Sequence, residues 1–153
     1  MRVVALCYSP RKSASMIPVA EITVVAGSGI VGDRYYGNKQ RHPGQNLTLI
    51  EAEEIDAFNA RNGVEIALTD PRRNIVMREV RLNALVGKEF VVGSVHLRGV
   101  ELCEPCGTLA RHLVATGLTK RALVRQFTHR AGLRADVVSS GRIVIGDLLT
   151  VMA

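Results

Sequence analysis

Short runs of β-branched and other apolar residues, separated by glycine-containing turns, recur along the chain and limit its fold more than any other feature. Runs of this kind, bounded by Gly, Pro, Asn, Asp or Ser, predict short β-strands. Links as short as Gly93-Ser94 predict antiparallel hairpins between neighbouring runs. The predicted strands are 2–8, 22–25, 46–50, 75–77, 89–92, 95–100, 135–138, 142–145 and 148–151.

Three segments have the residue spacing of helices instead. Residues 51–61 place three apolar side chains on one face, begin with acidic residues and are followed by Asn62-Gly63 as a stop. Thr108 is expected to cap a short helix, and Thr119 is expected to cap another. The side chains expected to point inward from these two helices are Leu109, His112 and Leu113, and Leu123, Val124 and Phe127.

Many short strands without a regular alternation of strands and helices predict a mainly β protein. We expect residues 1–153 to form a single domain, a closed or nearly closed β-barrel with two or three short helices on its rim. The apolar fraction of 47% and the charged fraction of 22% are typical of ordered globular proteins.

The sequence predicts neither membrane insertion nor secretion. Its longest apolar runs, such as residues 3–7, are far shorter than the roughly 20 residues that a membrane-spanning helix needs. The N-terminus has only a stub of apolar sequence before Tyr8-Ser9-Pro10, which is not the pattern of a signal peptide. A cytoplasmic location is therefore expected.

The basic charge of the chain consists mostly of arginine. Lys and Arg total 20 against 14 Asp and Glu, which gives a net charge of +6, and 16 of the 20 are Arg. The planar fork of arginine matches carboxylate and phosphate groups, but a solvated surface explains the excess equally well. Nucleic acid is not an expected partner, because the chain has three Tyr, three Phe and no Trp for stacking and contains no nucleic-acid-binding motif.

Two of the three cysteines lie in the segment Cys103-Glu104-Pro105-Cys106, and the third is Cys7. An odd number of cysteines without a secretory signal does not describe a disulfide framework. Four interpretations of the pair remain open: a zinc site, a thioredoxin-like redox pair, buried structural thiols, and a nucleophilic or metal-ligating thiolate. A structural zinc site needs four ligands, but there is no second cysteine pair, and the histidines are scattered at His42, His96, His112 and His129.

Cys106 has the local sequence of a reactive thiol. It is expected just before a helix N-terminus, where free amide groups and the helix dipole stabilise a thiolate. Gly107 allows a ligand to approach the backbone closely. Cys103 could resolve a persulfide or disulfide on Cys106, because thiol exchange needs a second thiol within reach. Glu104, whose charge would oppose thiolate formation, is expected to face solvent.

Three basic loops are candidates for anion binding. Residues 29–34 are predicted to present Asp33 and Arg34 at a strand edge, and a second basic cluster, 129–134, includes Arg134. Each arginine can bind phosphate through two hydrogen bonds, but an ordinary solvated turn explains each loop as well. The third candidate loop, directly before a predicted strand, contains Arg72, Arg73 and Asn74.

Seven motifs, taken together and in this order, resemble those of the MOSC domain family, which is named after the C-terminal region of molybdenum cofactor sulfurase. The resemblance covers about residues 1–151 and implies a closed or nearly closed β-barrel. The motifs are Gly32-Asp33-Arg34, Asn46-Leu47-Thr48-Leu49-Ile50, Arg72-Arg73-Asn74-Ile75-Val76, Leu82-Asn83-Ala84-Leu85-Val86-Gly87-Lys88, Leu102-Cys103-Glu104-Pro105-Cys106, Gly132-Leu133-Arg134-Ala135 and Ile145-Gly146-Asp147.

The resemblance also implies a cysteine that carries sulfur or ligates molybdenum. Cys106 is similar to this family cysteine, and Cys103 is similar to an accessory cysteine found in part of the family. A pocket for the anionic phosphate of the molybdenum cofactor, molybdopterin, is implied as well. The residues that the resemblance places in this pocket are Asp33, Arg34, Arg72, Arg73, Asn74 and Arg134.

The resulting hypothesis is a protein that binds the molybdenum cofactor and uses Cys106 as a persulfide carrier or as a molybdenum ligand. A molybdenum-dependent reductase of N-hydroxylated compounds and a non-catalytic anion-binding module with structural cysteines are the alternatives. The chain itself is expected to bind no pyridoxal phosphate (PLP), because its length leaves no room for the PLP-dependent domain of the full sulfurases. The expected partners are a PLP-dependent cysteine desulfurase and a molybdoenzyme or other cofactor acceptor.

Overall fold

The computed structural model describes residues 1–37 and 42–153, and within them the chain is mainly β, as predicted. Its strands are β1 (Arg2–Tyr8), β2 (Ile17–Val19), β3 (Glu21–Val25), β4 (Gly29–Ile30), β5 (Leu47–Glu51), β6 (Ile75–Arg78), β7 (Glu89–Val92), β8 (Val95–Leu102), β9 (Leu133–Val137), β10 (Gly141–Val144) and β11 (Leu149–Val151). Its α-helices are α1 (Ala52–Asn62), α2 (Gly107–His112) and α3 (Lys120–Phe127), and two 3-10 helices span Leu82–Leu85 and Val114–Thr116.

Eight strands form one curled sheet that is nearly closed into a barrel. Their order is β11-β7-β8-β9-β5-β6-β1-β2. An isolated bridge between Arg2 and Leu148 joins β1 to the segment before β11. The Val3 amide also donates to the Asp147 carbonyl at 2.9 Å. These contacts connect strands that are far apart in the sheet order, so the predicted barrel is confirmed.

A second sheet, with the order β10-β3-β4, contributes to the same hydrophobic core. Ile22, Ile30 and Ile143 from this sheet pack with buried residues of the barrel, and Ile143 is fully buried. The alternation of buried and exposed residues in β3 matches the period of two that a half-buried strand requires.

The three helices pack on one side of the barrel. Helix α1 is the crossover between β5 and β6, which pair in parallel. Phe58 of α1 contacts Phe127 of α3 with 4.8 Å between the ring centroids, and both lie in a core shared by the three helices. No helix among the described residues is long and apolar enough to cross a membrane.

The helix ends agree with the sequence prediction at two of three points. Helix α1 stops at Gly63, which adopts the left-handed conformation expected for a glycine stop. Thr119 caps α3, and its hydroxyl accepts a hydrogen bond from the Ala122 amide at 3.1 Å. The prediction that Thr108 caps α2 is wrong, because Cys106 is the N-cap residue and Thr108 lies in the first turn. His112, expected to face inward, is exposed.

Strands β2 and β4 were not predicted from the sequence. Strand β2 has only three residues, includes Pro18 and lies at the edge of the barrel sheet, where a missing amide donor is tolerated. Strand β4 is two residues long and begins with Gly29. Such short elements have no apolar periodicity, so only their tertiary partners define them.

Candidate functional site

The strands place residues from six parts of the chain around a cavity of about 330 Å³ at one end of the barrel. Strand β1 runs antiparallel to β6, so the end of β1 lies beside the start of β6. Leu102, at the end of β8, pairs with Leu133 at the start of β9. All eight site residues expected from the sequence line this cavity: Asp33, Arg34, Arg72, Arg73, Asn74, Cys103, Cys106 and Arg134.

Cys106 is the exposed thiol of the cavity. As the N-cap residue of α2, it precedes the unpaired amide groups of the first helical turn. Partial burial raises the pKa of Cys106, but the Leu109 and Thr108 amides, the Thr108 hydroxyl and the charge of Arg73 together outweigh it, so the pKa lies below the usual thiol value. The surroundings of Cys106 therefore favour its thiolate, which is the nucleophilic and metal-ligating form of cysteine.

The other two thiols are buried. Cys103 lines the cavity, and its amide donates to the Gly132 carbonyl at 2.8 Å. Cys7 does not line the cavity, and burial raises its pKa to about 12. Its thiol donates to the Arg73 carbonyl at 3.0 Å. All three cysteines are free, and only Cys106 is both accessible and activated.

Arg34 and Arg72 are cations of the cavity that form no ion pair with any residue of 1–37 or 42–153. Burial lowers the pKa of Arg72, and the charge of Arg34 lowers it further. Arg72 also has a φ of 62°, a left-handed conformation that is strained for a residue with a side chain. The Arg34 guanidinium lies over the Tyr35 ring, 4.6 Å from its centroid. The repulsion between the Arg34 and Arg72 guanidinium groups is relieved when an anion binds between them.

Arg73 and Asn74 are occupied by the protein itself. The Arg73 guanidinium donates to the carbonyl groups of Ala131 at 2.8 Å, Pro71 at 3.2 Å and Cys103 at 3.4 Å. The buried Asn74 side chain accepts from the Thr48 amide at 3.0 Å and donates to the Cys7 carbonyl at 3.2 Å. Arg73 therefore braces the cysteine segment, and Asn74 fastens β1, β5 and β6 to one another.

Asp33 and Arg134 also have partners within the protein. The Asp33 carboxylate accepts hydrogen bonds from the Ser9 amide at 3.2 Å and the Tyr35 amide at 3.1 Å, which fixes the loop that carries Arg34. Arg134 forms an ion pair with Glu101 at 3.7 Å, and the two side chains are 40% and 61% exposed. An exposed pair of this kind leaves the guanidinium free to exchange partners at little cost.

Two residues that the sequence did not predict as part of the site contribute to its electrostatics. Thr108 lines the cavity and lowers the pKa of Cys106. Its position two residues after a cysteine at a helix N-terminus was the signal that could have revealed it. His112 does not line the cavity, but burial and then the charges of Arg72, Arg111 and Arg34 lower its pKa. His112 therefore experiences the same excess of positive charge.

Glu104 is exposed, as expected, and it also holds the cysteine segment in place. Its carboxylate accepts from the His129 amide at 2.9 Å and lies 3.2 Å from His129 Nδ1. No group of three or more His, Cys, Asp and Glu side chains suited to a metal ion occurs in the part of the chain that the structure describes. The cavity thus presents the Cys106 and Cys103 thiols and the Asp33 and Glu104 carboxylates beside guanidinium groups. The Cys106 thiolate and the guanidinium groups fit a metal that takes thiolate ligands and is carried by an anionic group.

The comparison that decides the family is a match to the MOSC domain model over residues 36–150. The chain belongs to the MOSC domain family. As a MOSC protein it is similar in fold to YuaD from Bacillus subtilis, with 18% identity, a TM-score of 0.83 and coverage of 97% of this chain and 93% of that one. It is also similar to YiiM from Geobacillus stearothermophilus, with 16% identity, a TM-score of 0.76 and coverage of 99% and 75%. No curated protein sequence matches this MOSC chain.

YiiM from Escherichia coli has the same fold, with 18% identity, a TM-score of 0.68 and coverage of all of this chain and 70% of that one. The TM-scores establish a common fold, and at these levels of identity the similarity shows the fold alone. The function of this MOSC protein therefore has to be argued from its own cavity.

Proposed function

We propose that this MOSC protein binds the molybdenum cofactor in the barrel-end cavity and uses Cys106 for sulfur transfer or for ligation of the metal. One observation carries the proposal: an exposed thiol with a lowered pKa shares a cavity with the guanidinium groups of Arg34 and Arg72, which have no ion-pair partner among the described residues. A thiolate and paired cations are the groups that an anionic, sulfur-ligated metal cofactor requires.

In the sulfur-transfer form of the proposal, Cys106 is the residue that accepts sulfur. Its thiolate attacks the terminal sulfur of a persulfide on a PLP-dependent cysteine desulfurase. The new S–S bond forms on Cys106, the S–S bond of the desulfurase breaks, and the desulfurase cysteine leaves as a thiolate. No external oxidant is needed, because the sulfane sulfur is exchanged between two thiolates.

In the ligation form of the proposal, the chain holds the cofactor through two kinds of contact. The bound cofactor would supply a redox-active, sulfur-ligated metal centre. The Cys106 thiolate is the protein group suited to the metal, and Arg34 and Arg72 are suited to its phosphate. Arg73 holds the Cys103 carbonyl and keeps the cysteine segment at the rim of the cavity. The cavity volume of about 330 Å³ lies at the lower end of the range for small-molecule sites.

The alternative of a non-catalytic module with structural cysteines fits two of the three thiols. Cys7 and Cys103 are buried, and the Cys7 thiol remains protonated at neutral pH because its pKa is about 12. Cys106 does not fit, because an exposed thiol with a lowered pKa adds little to packing and is chemically reactive. The absence of disulfides among the described cysteines accords with the reducing conditions of a cytoplasmic location.

Mass spectrometry of the intact protein tests the sulfur-transfer form. After incubation with a cysteine desulfurase, PLP and cysteine, we expect a gain of one sulfur atom that cyanide removes. Cys106→Ser is expected to abolish the gain, whereas Cys7→Ser, the matched control, is expected to leave it unchanged. Loading that persists in Cys106→Ser would refute the assignment of Cys106.

Cofactor retention tests the ligation form. The protein is purified from a host that makes molybdenum cofactor, and molybdenum is measured per mole of protein. Arg72→Gly is the informative variant, because glycine accepts the positive φ and the fold is retained while the cation is lost. We expect Arg72→Gly to lose most of the bound molybdenum, and equal content in both proteins would contradict the role of Arg72. Reduction of an N-hydroxylated compound by the loaded protein would favour the reductase alternative.

A further inference from the structure

The net charge of the protein is concentrated in one segment beside the cavity. Residues 107–134 contain six of the 20 Lys and Arg residues and none of the 14 acidic residues. The charge of this segment is therefore +6, which equals the net charge of the whole chain. The rest of the sequence is neutral overall, so the basic character is not a general property of the surface.

Four of the six cations form no ion pair with the described residues. They are exposed on α2 and α3: Arg111, Lys120, Arg121 and Arg125. Arg121 and Arg125 are four residues apart and share one face of α3, where like charges destabilise a helix. An acidic residue near Arg121 or Arg125 would relieve this repulsion, but the segment 107–134 contains no acidic residue.

This cationic surface adjoins Cys106. Gly107 directly follows the thiol, and a Cβ atom at Gly107 would lie 3.0 Å from Lys120 Nζ, so the Lys120 ammonium packs against the start of α2. Between the two helices, Val114 is 68% exposed, more than any other large hydrophobic residue described. We call Arg111, Val114, Lys120, Arg121 and Arg125 the basic helical face.

We propose that the basic helical face is the docking surface for an acidic protein that transfers sulfur to Cys106. Exposed arginines together with an exposed apolar side chain are the composition of a protein interface. Complementary charge steers a partner onto such a surface and raises the association rate. The identity of the partner as a sulfur donor rests on the proposed function, and the desulfurase is the partner to which the inference commits.

The surface favours a protein over a nucleic acid or a membrane. Phe127 is the one Phe, Tyr or Trp residue of 107–134, and it is buried, so none of these large rings is exposed to stack on a base. The apolar side of α3, with Leu123 and Phe127, packs in the core shared by the helices, so it is not available for insertion into lipid.

Direct binding to a cysteine desulfurase tests the docking surface. The affinity of the full-length protein for a fluorescently labelled, acidic desulfurase is measured by anisotropy, without cysteine, at low and high salt. We expect Arg121→Glu/Arg125→Glu to weaken binding by about tenfold or more, and the affinity of the wild type to fall as salt rises. Lys88→Glu/Arg142→Glu, the control with the same change in charge on exposed sites elsewhere, is expected to bind like the wild type.

A parallel assay separates this inference from the proposed function. Loading of Cys106 by a small alkyl persulfide needs no docking, so we expect the charge-reversed variant to load at the wild-type rate. If wild-type Cys106 accepts sulfur from neither donor, the sulfur-transfer form of the proposed function fails, while the anisotropy result still decides the docking. Absence of wild-type binding, equal binding by both double variants, or tighter binding of a short RNA duplex would overturn the inference. Arg121→Gln/Arg125→Gln replaces the reversed variant if circular dichroism shows that it does not fold.

Discussion

At the scale of single residues, three thiols in one small chain have three different environments. Cys7 is buried with a pKa raised to about 12, Cys103 is buried at the cavity wall, and Cys106 is exposed with a lowered pKa. The difference arises because burial removes the solvation of a thiolate, whereas the amide groups at the start of α2 and the Thr108 hydroxyl replace it. The proposal that Cys106 rather than Cys103 is the reactive cavity thiol rests on this difference in environment.

Thr108→Val should raise the pKa of Cys106, because the hydroxyl that helps to stabilise the thiolate is lost. At neutral pH we expect alkylation of Cys106 by iodoacetamide to slow several-fold and its pH profile to move upward. Peptide mass spectrometry resolves Cys106 from the two buried cysteines, which are expected to react slowly. Thr150→Val makes the same change on an exposed strand and should leave the profile unaltered. An unshifted profile in Thr108→Val would contradict the role of the hydroxyl.

At the scale of elements, the cavity exists because β1, β5 and β6 are held in register at one end of the barrel. Asn74 links all three through its side chain, which is 8% exposed and bonded to Thr48 and Cys7. The sequence placed Asn74 at the start of a strand and beside two arginines. It did not reveal that the amide group is used within the fold, because Thr48 and Cys7 are distant in the sequence.

Asn74→Ala should lower the free energy of unfolding by about 2–4 kcal/mol, because the Thr48 amide and the Cys7 carbonyl would be left buried without a partner. Urea unfolding followed by circular dichroism measures the change. Asn83→Ala is the matched control, since Asn83 is exposed and makes one hydrogen bond, to the His129 carbonyl. We expect the control to cost less than about 1 kcal/mol. Equal losses in the two variants would show that Asn74 does not fasten the strands.

At the scale of the whole molecule, the ionisation of Glu51 makes the free energy of unfolding depend on pH. Glu51 ends β5 and is the N-cap residue of α1, where the helix dipole favours a charged carboxylate. Burial and then the nearby charge of Glu54 outweigh that effect, and they raise the pKa of Glu51 from 4.5 to about 7. The ion pair with Arg81, at 3.6 Å, compensates little because Arg81 is 84% exposed.

Between pH 4.5 and about 7, Glu51 is therefore protonated in the folded protein but ionised in the unfolded chain. Stability that Glu51 provides at low pH is lost as the pH rises through this window, and the loss is complete above it. Relative to wild type, Glu51→Gln should gain about 2 kcal/mol of unfolding free energy between pH 5 and pH 8. Urea unfolding at several pH values measures the gain, with the exposed Glu65→Gln as control. Parallel pH profiles for wild type and Glu51→Gln would contradict the raised pKa.

Most of the barrel could be predicted from the sequence because its strands have local signals. Strands β1 and β7 have the predicted ends, and the hairpin at Gly93-Ser94 joins β7 to β8 as expected. The position of Cys106 before a helix was predicted as well, although the helix begins two residues earlier than a cap at Thr108 would place it. These features depend on apolar periodicity and turn residues, which act over a few positions.

The sequence by itself determined the mainly β class, the family motifs and the residue types that could act on a sulfur-ligated anion. Only the tertiary structure decided which of those side chains are available to bind a ligand in the cavity. The side chains of Arg73 and Asn74 are hydrogen-bonded to the backbone, whereas Arg34 and Arg72 line the cavity and have no ion-pair partner among the described residues. The closure of the barrel through Arg2 and Leu148 was equally invisible in the sequence. Pairings between residues so far apart depend on the whole packed core, and no local pattern encodes them.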